Sequence, residues 1–513
     1  MSAYSKKSLI SYLMIILLSL SSLYAQKFQI DSVEYIIDGS TKIDVLTSYV
    51  EVDTTTVFES EDALKSYIRE LKAEYDRLRN FESVEIKYKR DYDIKELYPV
   101  SLVISLKDSK HLLVLPYPKY DSSTGLSAKI KMKDSNFLGN MAELSSDVFF
   151  ASETEDEDSV NPDYKIGFDF NYNMPFSTGI FSNKWINDYG LSYTIGRSYP
   201  EYNIVTGIES SVSFDNVSLV LLALQRGGID FDYTPYGDEI YFGNTLKLSL
   251  PVKLLETKSY GDVTFTPYVD FNTYYDNDGI NADNIDFAGP KLKGGLTFDT
   301  GKVYWSDNFR NGILINMDAS YGWNFQINAN ILKAKAELFA YNAFRYNAVN
   351  MHILAFYQHN GRDSIGEYLR GIKDQSHYAG LSKLYNPVKS QSAIVLNMDF
   401  PFHLMTWDWR IFTDNSFLNK FNFEVQFSPF VDIGLTYNEE TKRLFSPKDG
   451  FYTGGFEFLV YPQKWKSIVV RASAGFDVGR LIIANINSDI IDVSWRKSNI
   501  SPYEIYIGIG LLY

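Results

Sequence analysis

Hydrophobic and polar residues alternate along most of the chain, from about residue 112 to residue 513. In residues 423–435 the odd positions are mainly apolar, and the even positions are mainly polar or small. Segments with this pattern recur between polar loops, and the last one runs from Tyr503 to Tyr513. Alternation with a period of two predicts β-strands that have one apolar face and one polar face.

Residues 26–110 show a different pattern, in which alternating segments flank segments with helical spacing. Ser60 is a suitable N-cap for the longer helix, and Glu61 and Asp62 follow it in the first turn, where negative charge is favourable. The predicted elements are, in order, a strand at 33–37, a short helix at 44–50, a helix from 61 to 78, and strands at 84–88 and 100–106. This order predicts a small sheet covered by helices on one face.

The N-terminus has the organisation of a secretory signal peptide. Lys6 and Lys7 precede an apolar run at 9–23, and Ala25 provides a small residue at the expected cleavage point. The alternative is a single membrane anchor, but the run is shorter than the ~20 residues that a spanning helix needs. We therefore expect residues 1–25 to be a signal peptide and the mature chain to be exported.

The aromatic content indicates how the exported strands are used. The chain has 35 Phe, 39 Tyr and 7 Trp residues, as the aromatic girdles of membrane barrels require. An antiparallel sheet with one wet face is the soluble alternative, but strands in lipid must close into a barrel so that every backbone group is paired. The sequence thus predicts a transmembrane antiparallel β-barrel of about 16 strands over residues 111–513, preceded by one small β-α-α-β-β domain at 26–110.

Composition excludes several other classes of protein. There is no cysteine, so disulfides and cysteine-ligated metals are excluded. A net charge of −15 argues against nucleic-acid binding, and five histidines argue against a histidine-rich metal site. The acidic segment 153–158 and the Asp-Asn-Asp-Gly segment at 276–279 are interpreted as solvated loops. No nucleophile elbow, metalloprotease helix or P-loop is found, and we expect no metal site.

Five short motifs carry more specific information than the strand pattern does. They are Asn136-Phe137-Leu138-Gly139, Leu369-Arg370-Gly371-Ile372, Asn397-Met398-Asp399-Phe400-Pro401, Phe430-Val431-Asp432-Ile433-Gly434 and the terminal residues Gly508, Gly510 and Tyr513. Together with the signal peptide, the small domain and the barrel, they resemble the BamA/TamA-like outer-membrane assembly superfamily, also called the bacterial surface antigen family. In that family the small domain is a POTRA domain.

The resemblance implies a role for the Leu369-Arg370-Gly371-Ile372 motif. In the family the similar Val-Arg-Gly-Phe/Tyr motif lies on a loop that folds into the barrel lumen, and Arg370 would pair there with Asp432, Asp399 or both. Strand parity agrees, because it places both aspartates on inward faces, where a guanidinium finds a bidentate partner. In one respect the sequence departs from the family, since the usual acid four residues before the proline is Asn397 here.

The resemblance also implies a function, namely assembly and insertion, or export, of other proteins at the outer membrane of a diderm bacterium. Client strands would be templated at a seam between the first and last barrel strands, and the first strand is expected near residues 128–131. No bond is made or broken in such a process, so no enzymatic activity and no cofactor are expected. Gly508 and Gly510 pack little and would weaken this seam. The expected partners are unfolded outer-membrane or secreted client proteins and the lipid bilayer, with room for periplasmic chaperones or accessory proteins.

Other functions remain open at the level of the sequence. The main alternative is a passive outer-membrane pore or surface antigen that keeps the fold without assembly activity. A lipid carrier is a further alternative. A two-partner secretion transporter is disfavoured, because only Gln26 and Lys27 would separate the cleavage point from the first strand and leave no room for a plug helix.

Overall fold

The chain folds into two units. The computed structural model describes residues 27–78, 80–90, 97–121, 125–153, 163–229, 240–257, 261–275, 290–372, 389–415, 418–439, 441–464, 469–487, 490–493 and 502–509. The first unit comprises Met1–Lys110 and Leu138–Met141, and the second comprises His111–Phe137 and Ala142–Tyr513. The predicted signal peptide, residues 154–158 of the acidic segment, the 276–279 loop, Gly510 and Tyr513 lie outside the described residues.

The first unit is a small α+β fold. Its elements are β1 (Lys27–Asp38), α1 (Ile43–Tyr49), β2 (Val57–Phe58), α2 (Glu61–Arg77), β3 (Phe81–Arg90) and β4 (Leu97–Asp108). The sheet order is β2-β1-β4-β3, and β1 and β4 run parallel. The order of elements is as predicted, except for β2, which is too short to produce a visible alternation.

The core of this unit forms where α2 packs against the sheet. Ser60 caps α2 as predicted, since its hydroxyl oxygen accepts a hydrogen bond from the Ala63 N–H at 3.2 Å. Leu64, Leu71 and Tyr75 are the fully buried residues of the helix. Alternate residues of β4 are equally buried, because one face of the sheet meets the helices. Among the described residues, no helix is long and apolar enough to cross a membrane.

The second unit consists almost entirely of antiparallel strands. The strands of its first half are β5 (Leu112–Asp121), β6 (Gly125–Asp134), β7 (Leu144–Glu153), β8 (Asp163–Thr178), β9 (Phe181–Thr194), β10 (Glu201–Phe214), β11 (Val217–Ile229), β12 (Ile240–Ser249), β13 (Val252–Leu255), β14 (Val263–Tyr275), β15 (Lys291–Ser306) and β16 (Phe309–Asn324). The remainder are β17 (Ala329–Ala343), β18 (Ala348–His359), β19 (Asp363–Ser364), β20 (Lys389–Ser390), β21 (Ser392–Asp399), β22 (Phe402–Trp407), β23 (Phe423–Asn438), β24 (Arg443–Leu444), β25 (Phe451–Pro462), β26 (Val470–Asp477) and β27 (Tyr503–Ile509). A short helix, α3 (Ala484–Ile486), precedes β27.

All of these strands except β19 and β20, which pair with each other in a separate two-stranded sheet, close into a barrel in which β27 lies beside β5. We call each position in the wall a stave; β12 with β13, β21 with β22, and β24 with β25 each lie in line against shared neighbours and form one stave. The described residues then form eighteen staves, against the about 16 predicted from typical spacing. The difference arises because several turns are very short, such as the two-residue connections from β8 to β9, β10 to β11 and β15 to β16.

The first barrel strand lies earlier than the sequence predicted. Its first strand is β5, at Leu112–Asp121, whereas residues 128–131 lie in β6. Pro116 and Pro118 interrupt the β5 pattern, and proline is normally absent from central strands because it lacks a backbone N–H. The sequence pattern therefore does not indicate β5, although every residue of this strand pairs with β6.

The two faces of the barrel wall differ in polarity. Exposed outward residues are large and apolar, including Ile166, Leu246, Leu296, Met317 and Ile507. Inward residues on the same strands form ion pairs, such as Lys165–Glu201 at 2.7 Å and Lys293–Asp270 at 3.0 Å. An apolar exterior around a closed strand wall satisfies the backbone in lipid. The predicted fold class, a transmembrane antiparallel β-barrel, is confirmed; its strand number differs.

Candidate functional site

The described part of the segment that follows β18, residues 360–372, packs against the inner wall of the barrel. After a short 3-10 turn at Gly366–Tyr368 it reaches Leu369, Arg370, Gly371 and Ile372. Leu369 and Ile372 are buried in an apolar cluster on the inside of the wall. The cluster also contains Leu354, Phe356, Ile365, Ala393, Val395 and Phe451. Burial of both apolar ends of the motif holds the Arg-Gly pair against the wall.

Arg370 forms a bidentate ion pair with Asp432 of β23. Its Nε donates to Asp432 Oδ2 at 3.0 Å, and its Nη2 donates to Oδ1 at 2.6 Å. The backbone N–H of Arg370 also donates to Oδ2, at 3.0 Å. Asp432 is fully buried, so this parallel geometry replaces the hydration that the carboxylate loses.

Two further carboxylates meet the other side of the same guanidinium. Nη1 of Arg370 donates to Asp399 Oδ1 at 2.5 Å and lies 3.2 Å from Glu457 Oε1. The guanidinium carbon lies 3.6 Å from the centre of the Phe430 ring, over its face. We call Arg370 together with Asp399, Asp432 and Glu457 the clamp. The structure thus places Arg370 against both of the aspartates suggested by the sequence, and it adds Glu457.

Directly opposed residues on the neighbouring strands donate hydrogen bonds to Asp432. Asn397 lies opposite Asp432 in the strand register, and its Nδ2 donates to Asp432 Oδ1 at 2.9 Å and to the Tyr368 carbonyl oxygen at 2.5 Å. The Asn397 side-chain oxygen therefore accepts from His352 Nδ1, which lies 3.0 Å away. On the other side, Thr453 Oγ1 donates to Asp432 Oδ2 at 3.3 Å. Asn397, where the family has an acid, thus acts here as a donor.

The motif also reaches the strands that close the barrel. The Gly371 N–H donates to Glu504 Oε2 of β27 at 3.2 Å. Next to it, Arg471 of β26 lies 3.6 Å from Glu457 and 4.3 Å from the centre of the Tyr506 ring. Residues 370 and 371 therefore contact side chains from β21, β23, β25 and β27, four of the five consecutive staves that end at β27.

Sequence reasoning missed Glu457, Arg471 and Glu504 as members of this site. Each lies at an inward position of an alternating strand, so parity alone would have placed it in the lumen. Parity does not indicate which inward residues lie at the same height, because that depends on the strand register. The register is visible only in the folded barrel.

The other predicted site residues lie apart from the clamp. Asn136 is buried, and its N–H donates to Asp134 Oδ1 at 2.9 Å. Gly139 belongs to the first unit, where its carbonyl oxygen accepts from the Lys42 N–H at 3.0 Å. Its φ of +75° and a carbonyl oxygen of Ser40, 1.9 Å from where a Cβ would stand, both require glycine. Gly508 pairs with Arg471 in the β26–β27 register.

The part of the chain that the structure describes contains no candidate metal site. No group of three or more His, Asp or Glu side chains there is arranged to hold a metal ion. The carboxylates of the clamp are instead occupied by arginine.

No protein-family model and no curated protein sequence matches the chain. Several solved structures are similar to the chain at low identity. CdiB from Acinetobacter baumannii is 11% identical and aligns over 94% of this chain and 73% of its own, with a TM-score of 0.44. BamA from Haemophilus ducreyi lacking POTRA domains 1–3 is 10% identical over 93% and 84%, with a TM-score of 0.37. CdiB from Escherichia coli is 8% identical over 88% and 87%, with a TM-score of 0.35.

Each of these matches has an identity of 11% or less and a TM-score below 0.5, so none of them assigns a family or a role to this chain. At such low identities a shared fold does not define an activity. The functional inference below therefore rests on the contacts of this chain.

Proposed function

We propose that the protein is an outer-membrane assembly or export factor, and that it templates client strands at the seam between β5 and β27. The observation that carries this proposal is the composition of β5. A strand pair that must open needs a weak hydrogen-bond ladder, and the two prolines of β5 provide one.

Pro116 and Pro118 lie opposite Ile130 and Ala128 in the β5–β6 register. In an antiparallel pair, alternate residues direct their N–H groups to the same neighbour. The β5–β6 ladder is continuous, and proline has no N–H to contribute to it. The even positions of β5 therefore direct their amide side toward β27, where two donors are missing. Gly508 on β27 adds little packing of its own.

An opened seam would expose backbone groups that an incoming strand can pair with. Such β-augmentation takes its affinity from the main chain and accepts many sequences, which suits a factor with several clients. No bond is made or broken in this process, so no cofactor is required. The clients would be unfolded outer-membrane or secreted proteins, and the apolar outward face of the wall would lie in the bilayer.

The first unit fits the same role. In its sheet, β3 is an edge strand, and edge strands offer unpaired backbone groups to another chain. In our proposal this unit is a POTRA domain at residues 26–110 on the periplasmic side of the outer membrane. It would receive unfolded clients, with or without periplasmic chaperones, after removal of a signal peptide at residues 1–25.

A covalent lock across the seam tests the proposal, because the chain has no native cysteine. Leu112→Cys or Val114→Cys in β5 is combined with Ile505→Cys or Ile507→Cys in β27, all at exposed outward positions. The combination that forms a disulfide in highest yield is reconstituted in phospholipid vesicles. We expect insertion of an unfolded outer-membrane client to stop on oxidation and to return on reduction.

The control lock joins β27 to its other neighbour. Ala474→Cys with Ile505→Cys uses a pair that is directly opposed in the β26–β27 register, so oxidation restrains β27 without closing the seam. Insertion should continue in this variant. If the seam lock leaves insertion unchanged, seam templating is wrong.

A passive pore or surface antigen is the second candidate, and the polar inner wall favours it. Ion pairs such as Lys293–Asp270 line the lumen, as in barrels that hold water. Insertion no faster than in empty vesicles, accompanied by conductance of small solutes, would support the pore.

A further inference from the structure

The contact between Gly371 and β26 is unusually close and depends on two glycines. Gly371 has a φ of +95°, and a Cβ on it would lie 2.3 Å from the Phe476 backbone nitrogen. In the opposite direction, a Cβ on Gly475 would lie 2.6 Å from the Gly371 nitrogen and 2.7 Å from the Arg370 carbonyl carbon. We call residues 360–372 the inward loop. Its backbone therefore lies in a notch in β26 that exists only because Gly475 has no side chain.

Glu504 stands beside this notch. It lies directly opposite Gly475 in the β26–β27 register, and its neighbours Tyr503 and Ile505 are exposed on the outward face. Its carboxylate is therefore directed inward, where Oε2 accepts from the Gly371 N–H at 3.2 Å. A backbone N–H that donates to a carboxylate forms a charge-assisted hydrogen bond, stronger than one between neutral groups.

We propose that Glu504 is a positioning residue that couples the inward loop to the closing strand. While Gly371 is seated in the notch, Glu504 holds β27 in place, and release of the loop frees β27 to leave β5. The clamp itself holds the loop on β21, β23 and β25, so the loop is fixed to the wall independently of Glu504. This inference rests on the proposed seam but concerns its control.

The coupling follows from where β27 is held. On one side β27 has the ladder to β26, and on the other the seam in which Pro116 and Pro118 remove two donors. Its inward contacts include the Glu504–Gly371 hydrogen bond and the Arg471–Tyr506 ring contact. Removing the first should shift the position of β27 at the seam more than at the β26 ladder.

Two disulfide probes measure these two sides separately in the full-length protein in phospholipid vesicles. The seam probe is the β5–β27 cysteine pair described above, and the ladder probe is Ala474→Cys with Ile505→Cys. In each background the rate of disulfide formation under a mild oxidant is compared with and without Glu504→Ala. We expect the seam probe to slow by about tenfold, the effect of losing one hydrogen bond to a charged group, while the ladder probe is unchanged.

Three variants complete the design. Glu504→Gln keeps an acceptor oxygen and should restore much of the wild-type seam rate. Gly475→Ala should slow the seam probe as well, because its Cβ displaces the loop from the notch. Glu209→Ala removes an inward glutamate that pairs with Lys184 far along the wall and should change neither probe.

Equal changes in both probes would show that Glu504 only stabilises the local fold, and no change in either would show that the contact is inconsequential; both results overturn the proposal. Neither probe depends on client insertion. A slowed seam probe in a protein that inserts no client would leave the coupling intact and refute the proposed function instead.

Discussion

Two parts of the barrel wall differ in how deeply their inward-facing charged side chains are buried. In the wall from β21 to β27, the Arg370 side chain is 6% exposed and that of Asp432 is not exposed at all. We call the wall from β8 to β17 the open wall. Its ion pairs typically join one lysine to one carboxylate, and their side chains are more exposed to water. The side chains of Lys293 and Asp270 are 27% and 13% exposed, and lysine, with its compact and strongly hydrated charge, is the usual cation there.

The difference indicates what each set of charges is for. A wet lysine pair costs little to form and adds little stability, about 0–1 kcal/mol. A buried arginine with three carboxylates pays a large desolvation cost, and apolar residues in its place would often be as stable. The clamp is therefore better explained by its role in positioning the loop than by a contribution to stability, because it fixes the loop at one place on the wall.

Arg370→Ala should produce the largest contrast between the two walls. It leaves Asp399, Asp432 and Glu457 buried without their main cation, and breaking a buried pair costs about 3–5 kcal/mol. Lys293→Ala on the open wall should cost about 0–1 kcal/mol. Urea unfolding in vesicles, followed by tryptophan fluorescence, measures both. Similar losses in the two variants would refute the distinction between the walls.

The two aspartates of the clamp should differ in the same assay. Asp432 accepts from Arg370 side-chain and backbone donors, Asn397 and Thr453, whereas Asp399 accepts one short bond from Arg370. We expect Asp432→Asn to cost about 2–3 kcal/mol and Asp399→Asn about 1.5 kcal/mol, as for hydrogen bonds to charged groups. Limited proteolysis should show the loop released first in Asp432→Asn. The reverse order would make Asp399 the main anchor.

The sequence and the family resemblance were together sufficient for the barrel and for three of the four members of the clamp. Alternation gives the faces of each strand, so the inward direction of Asp432 and Asp399 follows without a structure. The family resemblance supplies Arg370. The rest depends on register: His352, Asn397 and Asp432 are directly opposed across three staves, although they are distant in sequence.

The first strand was missed for a related reason. Proline is normally absent from strands that are paired on both sides, because it has no backbone N–H, so Pro116 and Pro118 argue against a strand at β5. A strand at the seam can carry prolines on its weaker side. The two prolines that obscured this strand in the sequence are thus also the observation on which the proposed function rests.

Packing of the loop gives a smaller effect than its charges do. A Cβ on Gly434 would lie 2.9 Å from Ile365 Cδ1 and 3.1 Å from Leu369 Cδ1, so Gly434→Ala should overpack the inner cluster at a cost of about 1–2 kcal/mol. Gly294, a strand glycine of the open wall, has its nearest atom at 4.0 Å. Gly294→Ala should therefore be neutral or slightly stabilising in the same urea titration. A neutral Gly434→Ala would mean that the loop is only loosely packed.

Salt concentration should affect the ion pairs of the two walls differently, even where the changes in the free energy of unfolding are small. Asp270→Ala removes the partner of Lys293 and should cost about 0.5 kcal/mol at low salt. In about 1 M salt the Debye length falls to about 3 Å, so this cost should vanish, because the pair is partly exposed. The cost of Arg370→Ala should persist, since water and ions do not reach Asp432. Unfolding both variants at low and high salt measures the two dependences together. If the Arg370→Ala cost also disappears at high salt, the clamp is as wet as the open wall and its charges are not what fixes the loop.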